Sequence, residues 1–189
     1  MSRDPQKVPQ SIGSIPTTVL ALVNAGKGRR PSRQVETTFS DLFADLETVA
    51  NQFRQGSRSG PVRESDLESL REVQTALLSV LALWERRDHQ FRAALEILNR
   101  FAARCHWTRV LKEEGTLAEE PAGSLAALVA ARCVIELSQC DPARLKTCGR
   151  PPCELVFYDT TRNRSAKWHA EDPCGWRARA ARAHSNKTG

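Results

Sequence analysis

Apolar residues recur at helical spacing along three long stretches of the chain, at residues 40–53, 65–87 and 89–104. Spacings of three and four residues place side chains on one face of an α-helix, so each stretch predicts an amphipathic helix. Ser65, with Glu68 three positions later, indicates a capping box at the start of the second helix. The positions expected to form the helical core are Leu42, Phe43, Leu46, Val49, Ala50, Phe53, Leu67, Leu70, Val73, Leu77, Val80, Leu81, Trp84, Phe91, Leu95, Leu98, Phe101 and Ala102.

After these helices the pattern changes to that of short strands. Residues 107–112 and 116–118 flank a tight turn, which predicts a β-hairpin. Gly115 supplies the permissive backbone position that such a turn needs. Pro121 and Ser124 then introduce a last helix of the body, which ends near position 139.

The start of the chain is less regular. Residues 1–16 are polar and rich in proline, and they predict a poorly ordered lead-in. Residues 17–24 form a short apolar run that fits either a helix or a strand, since its length does not decide between them. No apolar run approaches the roughly 20 residues of a membrane span, and the first residues lack the order of a signal peptide. We therefore expect a cytoplasmic protein with no membrane contact.

Charge is distributed unevenly along the chain. Residues 144–189 contain ten Lys or Arg against four Asp or Glu, whereas the preceding residues contain 18 of each kind. The whole net charge of +6 therefore lies in the C-terminal quarter. A basic excess of this kind favours binding to a polyanion. Because only the C-terminal segment carries the excess, this interpretation applies to that segment alone.

The same segment contains four side chains of metal-ligand type, Cys148, Cys153, His169 and Cys174. Four residues separate the members of each pair, and 15 residues separate the pairs. Thiolate and imidazole donors in a set of four suit tetrahedral zinc, and a complete set indicates one structural Zn²⁺ rather than a catalytic one. The alternatives are four unrelated residues or a redox pair, although the cysteines lack the Cys-x-x-Cys spacing.

Local signals around these residues predict a treble-clef-like finger. Residues 148–153 form a turn with glycine and two prolines, followed by a strand over residues 154–159 that pairs near Lys167. Asp172 and the following proline indicate a helix cap, which would place Cys174 in the first helical turn. The fold class we expect is mainly α. It has a lead-in at 1–16, a helical domain with a hairpin at 17–142, and a zinc finger at 143–189 with a basic C-terminal helix.

On these residues the C-terminal segment resembles the CGNR zinc finger of bacterial transcription regulators. The resemblance rests on RLKTC at 144–148, FYDTTRNRS at 157–165, Lys167 with the next tryptophan, and CGWR at 174–177. The body is similar more weakly, through LALVN at 20–24 and the order of helices. The resemblance implies a helical N-terminal domain of a stress-induced transcription regulator, DNA binding and transcription control.

Two residues depart from the family pattern. His169 stands where the family has a third cysteine, a change that zinc accepts. Trp176 replaces the asparagine that contributes to the family name, so base specificity does not carry over.

Guanidinium groups suit phosphates and guanine edges, and a helix with a basic face fits a major groove. A solvated role, or pairing with Asp159 or Glu171, stays open for each cation. The predicted nucleic-acid contacts are Arg162, Asn163, Arg164, Lys167, Arg177, Arg179 and Arg182.

The leading hypothesis is a zinc-binding, DNA-binding transcriptional regulator whose helical domain senses a signal or forms a homodimer. DNA and a small-molecule effector of the body are its expected partners. The alternative is a small-molecule or protein-binding module with a purely structural finger and no nucleic-acid binding. An enzyme is not expected, because no nucleophile with a base and no open metal site is visible. Cys105 and Cys133 fit apolar faces and are expected to be inert buried thiols.

Overall fold

The structure is a computed structural model that describes residues 13–27, 39–54 and 62–185. Its described part is mainly α, as predicted. Most of the predicted lead-in lies outside the described residues, as do the side chains of Leu42, Phe43 and Phe53. The helices are α1 (Thr17–Asn24), α2 (Phe39–Arg54), α3 (Glu64–Ala82), α4 (His89–Ala102), α5 (Leu125–Gln139) and α6 (Trp176–Ser185). The strands are β1 (His106–Leu111), β2 (Leu117–Ala122), β3 (Leu145–Thr147) and β4 (Val156–Tyr158).

The short apolar run at 17–24 is a helix, and it lies at the centre of the body. Val19, Leu22 and Val23 of α1 are fully buried in one hydrophobic core with residues of α2 to α5. Its first turn has no side-chain cap of its own. Instead Glu136 of α5, itself buried, accepts from the backbone N–H groups of Thr18 (2.8 Å) and Val19 (3.0 Å). This carboxylate satisfies helix-start donors that would otherwise lie unpaired in the core.

The ends of α3 differ from the prediction. The N-cap is Arg63 rather than Ser65, because the carboxylate of Asp66 accepts from the Arg63 N–H at 3.1 Å. The helix ends at Ala82 rather than near Arg87, whose φ of 48° lies in the left-handed region. Asp88 then caps α4 by accepting from two backbone N–H groups.

The predicted hairpin is present and longer than expected. Strands β1 and β2 pair in antiparallel register from His106 opposite Ala122 to Leu111 opposite Leu117, and Gly115 in the turn has a φ of 80°. Pro121 therefore lies within β2 rather than introducing the next helix. A strand of a two-stranded sheet has one unpaired edge, where the missing N–H of proline costs nothing.

The C-terminal finger begins with a second hairpin, whose two strands are three residues long and which packs on the body. Strand β4 pairs with β3, which precedes the first cysteine, and not with the segment near Lys167 as predicted. Asn24 at the end of α1 donates to the carbonyl of Val156 and accepts from its N–H, both at 2.8 Å. Leu145 and Val156 also pack against the main core. The finger is thus held on the body by apolar contacts and a side chain that pairs with a strand edge.

Candidate metal centre and basic surface

The turn between β3 and β4 carries the first two cysteines. Cys148 follows β3 directly, and its N–H donates to the carbonyl of Leu155 at 2.8 Å. The N–H of Cys153 donates back to the carbonyl of Arg150 at 2.7 Å, which closes the turn. The local sequence therefore folds both thiols toward the same side of the hairpin.

The other two donors come from the segment that follows the hairpin, and Gly149 lets it approach. Its N–H donates to the carbonyl of Lys167 at 2.8 Å, and a side-chain Cβ at this position would lie 3.2 Å from that oxygen. A Cβ contact of that length is tighter than ordinary van der Waals contact. The close backbone approach brings His169, two residues further on, to the cysteine turn.

The ligand atoms of Cys148, Cys153, His169 and Cys174 all lie within 4.8 Å of one another. Cys148 and Cys174 are buried, and the other two are half-buried. The Sγ of Cys153 is 3.5 Å from Nδ1 of His169. Tetrahedral zinc, with Zn–S bonds of about 2.3 Å and Zn–N bonds of about 2.0 Å, separates its ligands by about 3.5 to 3.8 Å. The donor set therefore has the chemistry of a tetrahedral zinc site, and the separation between Cys153 and His169 matches the expected size.

Neighbouring groups favour negative charge on the first sulfur. Burial raises the pKa of Cys148, but hydrogen bonds from the backbones of His169 and Arg150 and from the side chains of His169 and Cys153 together lower that pKa to about 7. Burial and the Cys148 sulfur raise the pKa of Cys153 to about 11. The guanidinium of Arg150 lies 4.0 Å from the sulfur of Cys174. Backbone N–H groups and a nearby cation favour the charged form of a thiol.

Lys27 of the body also reaches this site. Its ammonium donates to the carbonyl of Glu154 at 3.1 Å. Burial lowers the pKa of Lys27, while Glu154 and Cys153 oppose that shift. Neither Lys27 nor Arg150 was singled out from the sequence. Arg150 could have been found from its position between the two cysteines, but nothing in the sequence places Lys27 beside Cys153.

Cys174 lies in a wide helical turn, Glu171–Gly175, that precedes α6. Cys174 therefore lies in a helical turn that runs directly into α6, one turn earlier than the regular helix in which the prediction placed it. Asp172 is extended, with φ −103° and ψ 126°, because a residue before proline is pushed away from the helical region. Regular helix starts only at Trp176, after the last ligand.

A buried carboxylate organises the loop that carries several of the predicted nucleic-acid contacts. Asp159 is 1% exposed and accepts from the ammonium of Lys146 at 2.6 Å. It also accepts from the N–H and hydroxyl of Thr161, at 2.9 and 2.6 Å, and from the N–H of Ala166 at 3.0 Å. Burial opposes its ionisation, but these hydrogen bonds lower the pKa of Asp159 to about 2. This support was not predicted from the sequence, and the Asp-x-Thr spacing of Asp159 and Thr161 is the signal that could have revealed it.

Two of the predicted nucleic-acid contacts form ion pairs. Arg164 is half-buried and lies 2.7 Å from Asp141, on a left-handed backbone with a φ of 52°. Arg179 pairs with Glu171, and its guanidinium lies 5.7 Å from the ring centre of Trp168. Arg164 is therefore paired with the end of the body, and Arg179 with a residue of the finger itself.

The other predicted contacts point into solvent. Arg162 and Asn163 are exposed at the tip of the Asp159 loop, and Lys167 is exposed beside the metal cluster. Arg177 and Arg182 are exposed on α6, and Trp176 at its start is 64% exposed. No ion pair between described residues involves Arg162, Lys167, Arg177 or Arg182. An exposed tryptophan among these cations offers a flat apolar surface.

The remaining cysteines lie outside the cluster. Cys133 is buried in the main core, where burial strongly raises its pKa. Cys105 is only half-buried, which corrects the prediction of a buried thiol. It follows the end of α4 and so does not lie on that helix's apolar face. Cys140 donates to the carbonyl of Leu137 at 3.7 Å, and burial raises its pKa to about 11.

The helical body and the four-donor cluster define a mainly α protein with a C-terminal metal-binding finger. Residues 17–139 match the family model described as ABATE, Putative stress-induced transcription regulator, and residues 144–187 match the one described as CGNR zinc finger. The chain belongs to the ABATE family and carries a CGNR zinc finger, as its sequence motifs indicated. No curated protein matches the sequence. None of the described helices combines the length and the hydrophobicity that a membrane span requires.

Proposed function

We propose that the protein is a zinc-dependent transcriptional regulator whose finger binds DNA. The observation that carries the zinc assignment is the convergence of three thiols and one imidazole within 4.8 Å. Cys148, Cys153, His169 and Cys174 would hold one structural Zn²⁺. When bound, the ion supplies folding free energy, on the order of 10 kcal/mol in small zinc fingers. This chain's own contribution is to hold the four donors together with short backbone hydrogen bonds.

DNA binding is supported by the exposed cations that border the metal cluster. Arg162 projects from a loop that the buried Asp159 already organises, so little order has to be gained on binding. Lys167 lies two residues from one ligand, and Arg177 lies three residues from another. Arg162, Lys167, Arg177 and Arg182 would contact phosphates, and Asn163 at the loop tip would face a base or sugar edge.

Arg164 and Arg179 have a different role in this proposal. Their ion pairs with Asp141 and Glu171 hold the loop and the start of α6 in place. They position the contacting residues rather than neutralising phosphates themselves. The test therefore uses the exposed cations and leaves these two unchanged.

We further propose that residues 17–142 form the regulatory unit and residues 143–189 the DNA-reading unit, without an enzymatic activity. A change in the body, such as binding of a small-molecule effector, would reach the finger through α1. This helix is capped by Glu136 at its first turn and bonded to Val156 of the finger through Asn24.

Fluorescence anisotropy with mixed genomic fragments, at a series of salt concentrations, tests the DNA assignment. The triple variant Arg162→Ala, Arg177→Ala, Arg182→Ala should bind more weakly and reduce the slope of log K against log salt by about 3, since each phosphate contact contributes about 1. Arg92→Ala removes an exposed charge from α4 of the body and is the control.

Zinc content, measured by inductively coupled plasma mass spectrometry, should stay at one ion per chain in all variants. Absence of binding to DNA by the wild type at low salt would refute the DNA assignment and leave a structural finger. An equal loss in the Arg92 variant would also contradict it. A zinc content well below one ion per chain in the wild type would refute the metal assignment separately.

A further inference from the structure

The hairpin of β1 and β2 presents an apolar face to solvent. Three of the large hydrophobic residues with the greatest exposure lie on it, Trp107 at 67%, Leu111 at 71% and Leu117 at 66%. Side chains alternate along a strand, and residues directly opposite one another share a face. Trp107, Arg109 and Leu111 of β1 therefore lie on the same face as Pro121, Glu119 and Leu117 of β2.

The body does little to hold this hairpin in place. Within the described part of the chain, neither hydrophobic cluster includes a residue of β1 or β2. A two-stranded hairpin is only marginally stable in water and usually needs a further packed layer. Contiguous exposed apolar patches on a protein surface commonly mark sites of interaction.

The order of residues on this face indicates what covers it. Each pair of opposite residues combines two complementary members. The pairs are Trp107 with Pro121, Arg109 with Glu119 at 3.4 Å, and Leu111 with Leu117. A surface whose two halves complement each other is suited to contact its own copy across a two-fold axis.

We propose that this face binds the same face of a second copy of the chain. A two-fold axis parallel to the strands, between two hairpins packed face to face, exchanges the two strands. Arg109 then faces Glu119 of the second copy, Leu111 faces its Leu117, and Trp107 stacks on its Pro121. The charged pair at the centre becomes a four-membered network that excludes other registers, since a reversed alignment would place Arg109 against Arg109.

The contact is small, so it forms a weak homodimer with dissociation in the micromolar range. The proposal does not depend on DNA binding or on the metal. It assigns the dimerising surface to the hairpin, outside the predicted DNA-binding surface.

Sedimentation velocity between about 1 and about 200 µM tests the dimer. The wild type should shift from monomer to dimer in this range. Arg109→Glu places two glutamates against two glutamates of the copy, and Glu119→Arg places arginines against arginines, so each variant alone should stay monomeric. Mixed in equal amounts, the two variants should associate at least tenfold more tightly than either variant alone. Only the mixed pair places the two glutamates of one copy against the two arginines of the other.

Leu117→Ser should weaken the dimer, whereas Ile135→Ser, at an exposed apolar site on α5, should leave it unchanged. Circular dichroism of every variant checks that the fold is intact. A wild type that stays monomeric over the whole concentration range would overturn the proposal. The apolar face would then be covered by another partner or by another part of the same chain. A dimer that neither charge variant weakens, or variants that do not associate on mixing, would also overturn it.

Discussion

Asp159 provides a sharp test of how the finger is held together. Its carboxylate is buried, while its cationic partner Lys146 remains 29% exposed. Asp159→Asn removes the charge and nearly preserves the shape. Removing one member of a buried ion pair costs about 3 to 5 kcal/mol, and the partial exposure of Lys146 places the expected loss near the low end.

The acidity of the same group provides a second measure of that loss. At about 1.4 kcal/mol per pKa unit, a carboxyl pKa lowered from 3.8 to about 2 corresponds to at most about 2.5 kcal/mol of stability, and solvent near Lys146 screens part of the interaction. The two arguments agree on a loss of about 2 to 3 kcal/mol at neutral pH. Since the folded pKa is depressed, this stabilisation is complete above about pH 5 and is lost progressively as the pH falls through 3.8 toward 2.

Urea unfolding with excess zinc, followed by circular dichroism, measures this loss. Glu171→Gln is the matched control, since it removes the same charge from an ion pair whose side chains are 57% and 51% exposed. We expect the control to lose less than about 1 kcal/mol. The difference between wild type and Asp159→Asn should stay constant from pH 7 to pH 5. Equal losses in the two variants, or a difference that shrinks over this range, would refute the reasoning.

Two further predictions concern the helix that joins body and finger. Asn24→Ala should cost about 1 to 2 kcal/mol, because the N–H and carbonyl of Val156 lose partners at 2.8 Å, and hydrogen exchange at β4 should accelerate while α5 stays protected. Unchanged exchange at β4 would argue against a docking role. Glu136→Ala should cost about 3 kcal/mol in thermal unfolding, whereas Arg132→Ala should cost less than about 1 kcal/mol, since the carboxylate keeps its donors on α1. Equal losses would show that the ion pair, rather than the cap, is what matters.

The sequence alone predicted much of the candidate site because cysteine and histidine can be recognised as metal-ligand types from their chemistry. Thiol and imidazole donors in two short-range pairs restrict the interpretation, and the turn between Cys148 and Cys153 is built from residues close in sequence. The groups around the donors were harder to find. Arg150 lies between two of the donors but belongs to no motif that assigns it a role, and Lys27 comes from a segment more than a hundred residues away.

The local pattern of apolar residues likewise determined which segments form helices. The apolar periodicity of α2 to α5 is a property of neighbouring residues, and it held even where the capping residue was misplaced by two positions, from Ser65 to Arg63. The short run at 17–24 carried too few residues to decide by itself. It is a helix because Glu136, far along the chain, caps it and the surrounding helices bury it.

What only the tertiary structure decided were the partners of individual groups. The sequence established which cations exist in the finger, but not that Arg164 and Arg179 form ion pairs while Arg162 and Arg177 point into solvent. It also left open that β4 pairs with β3. Periodicity, caps and ligand types depend on neighbours along the chain, whereas strand pairing and ion pairing depend on which distant groups the packed core brings within bonding distance.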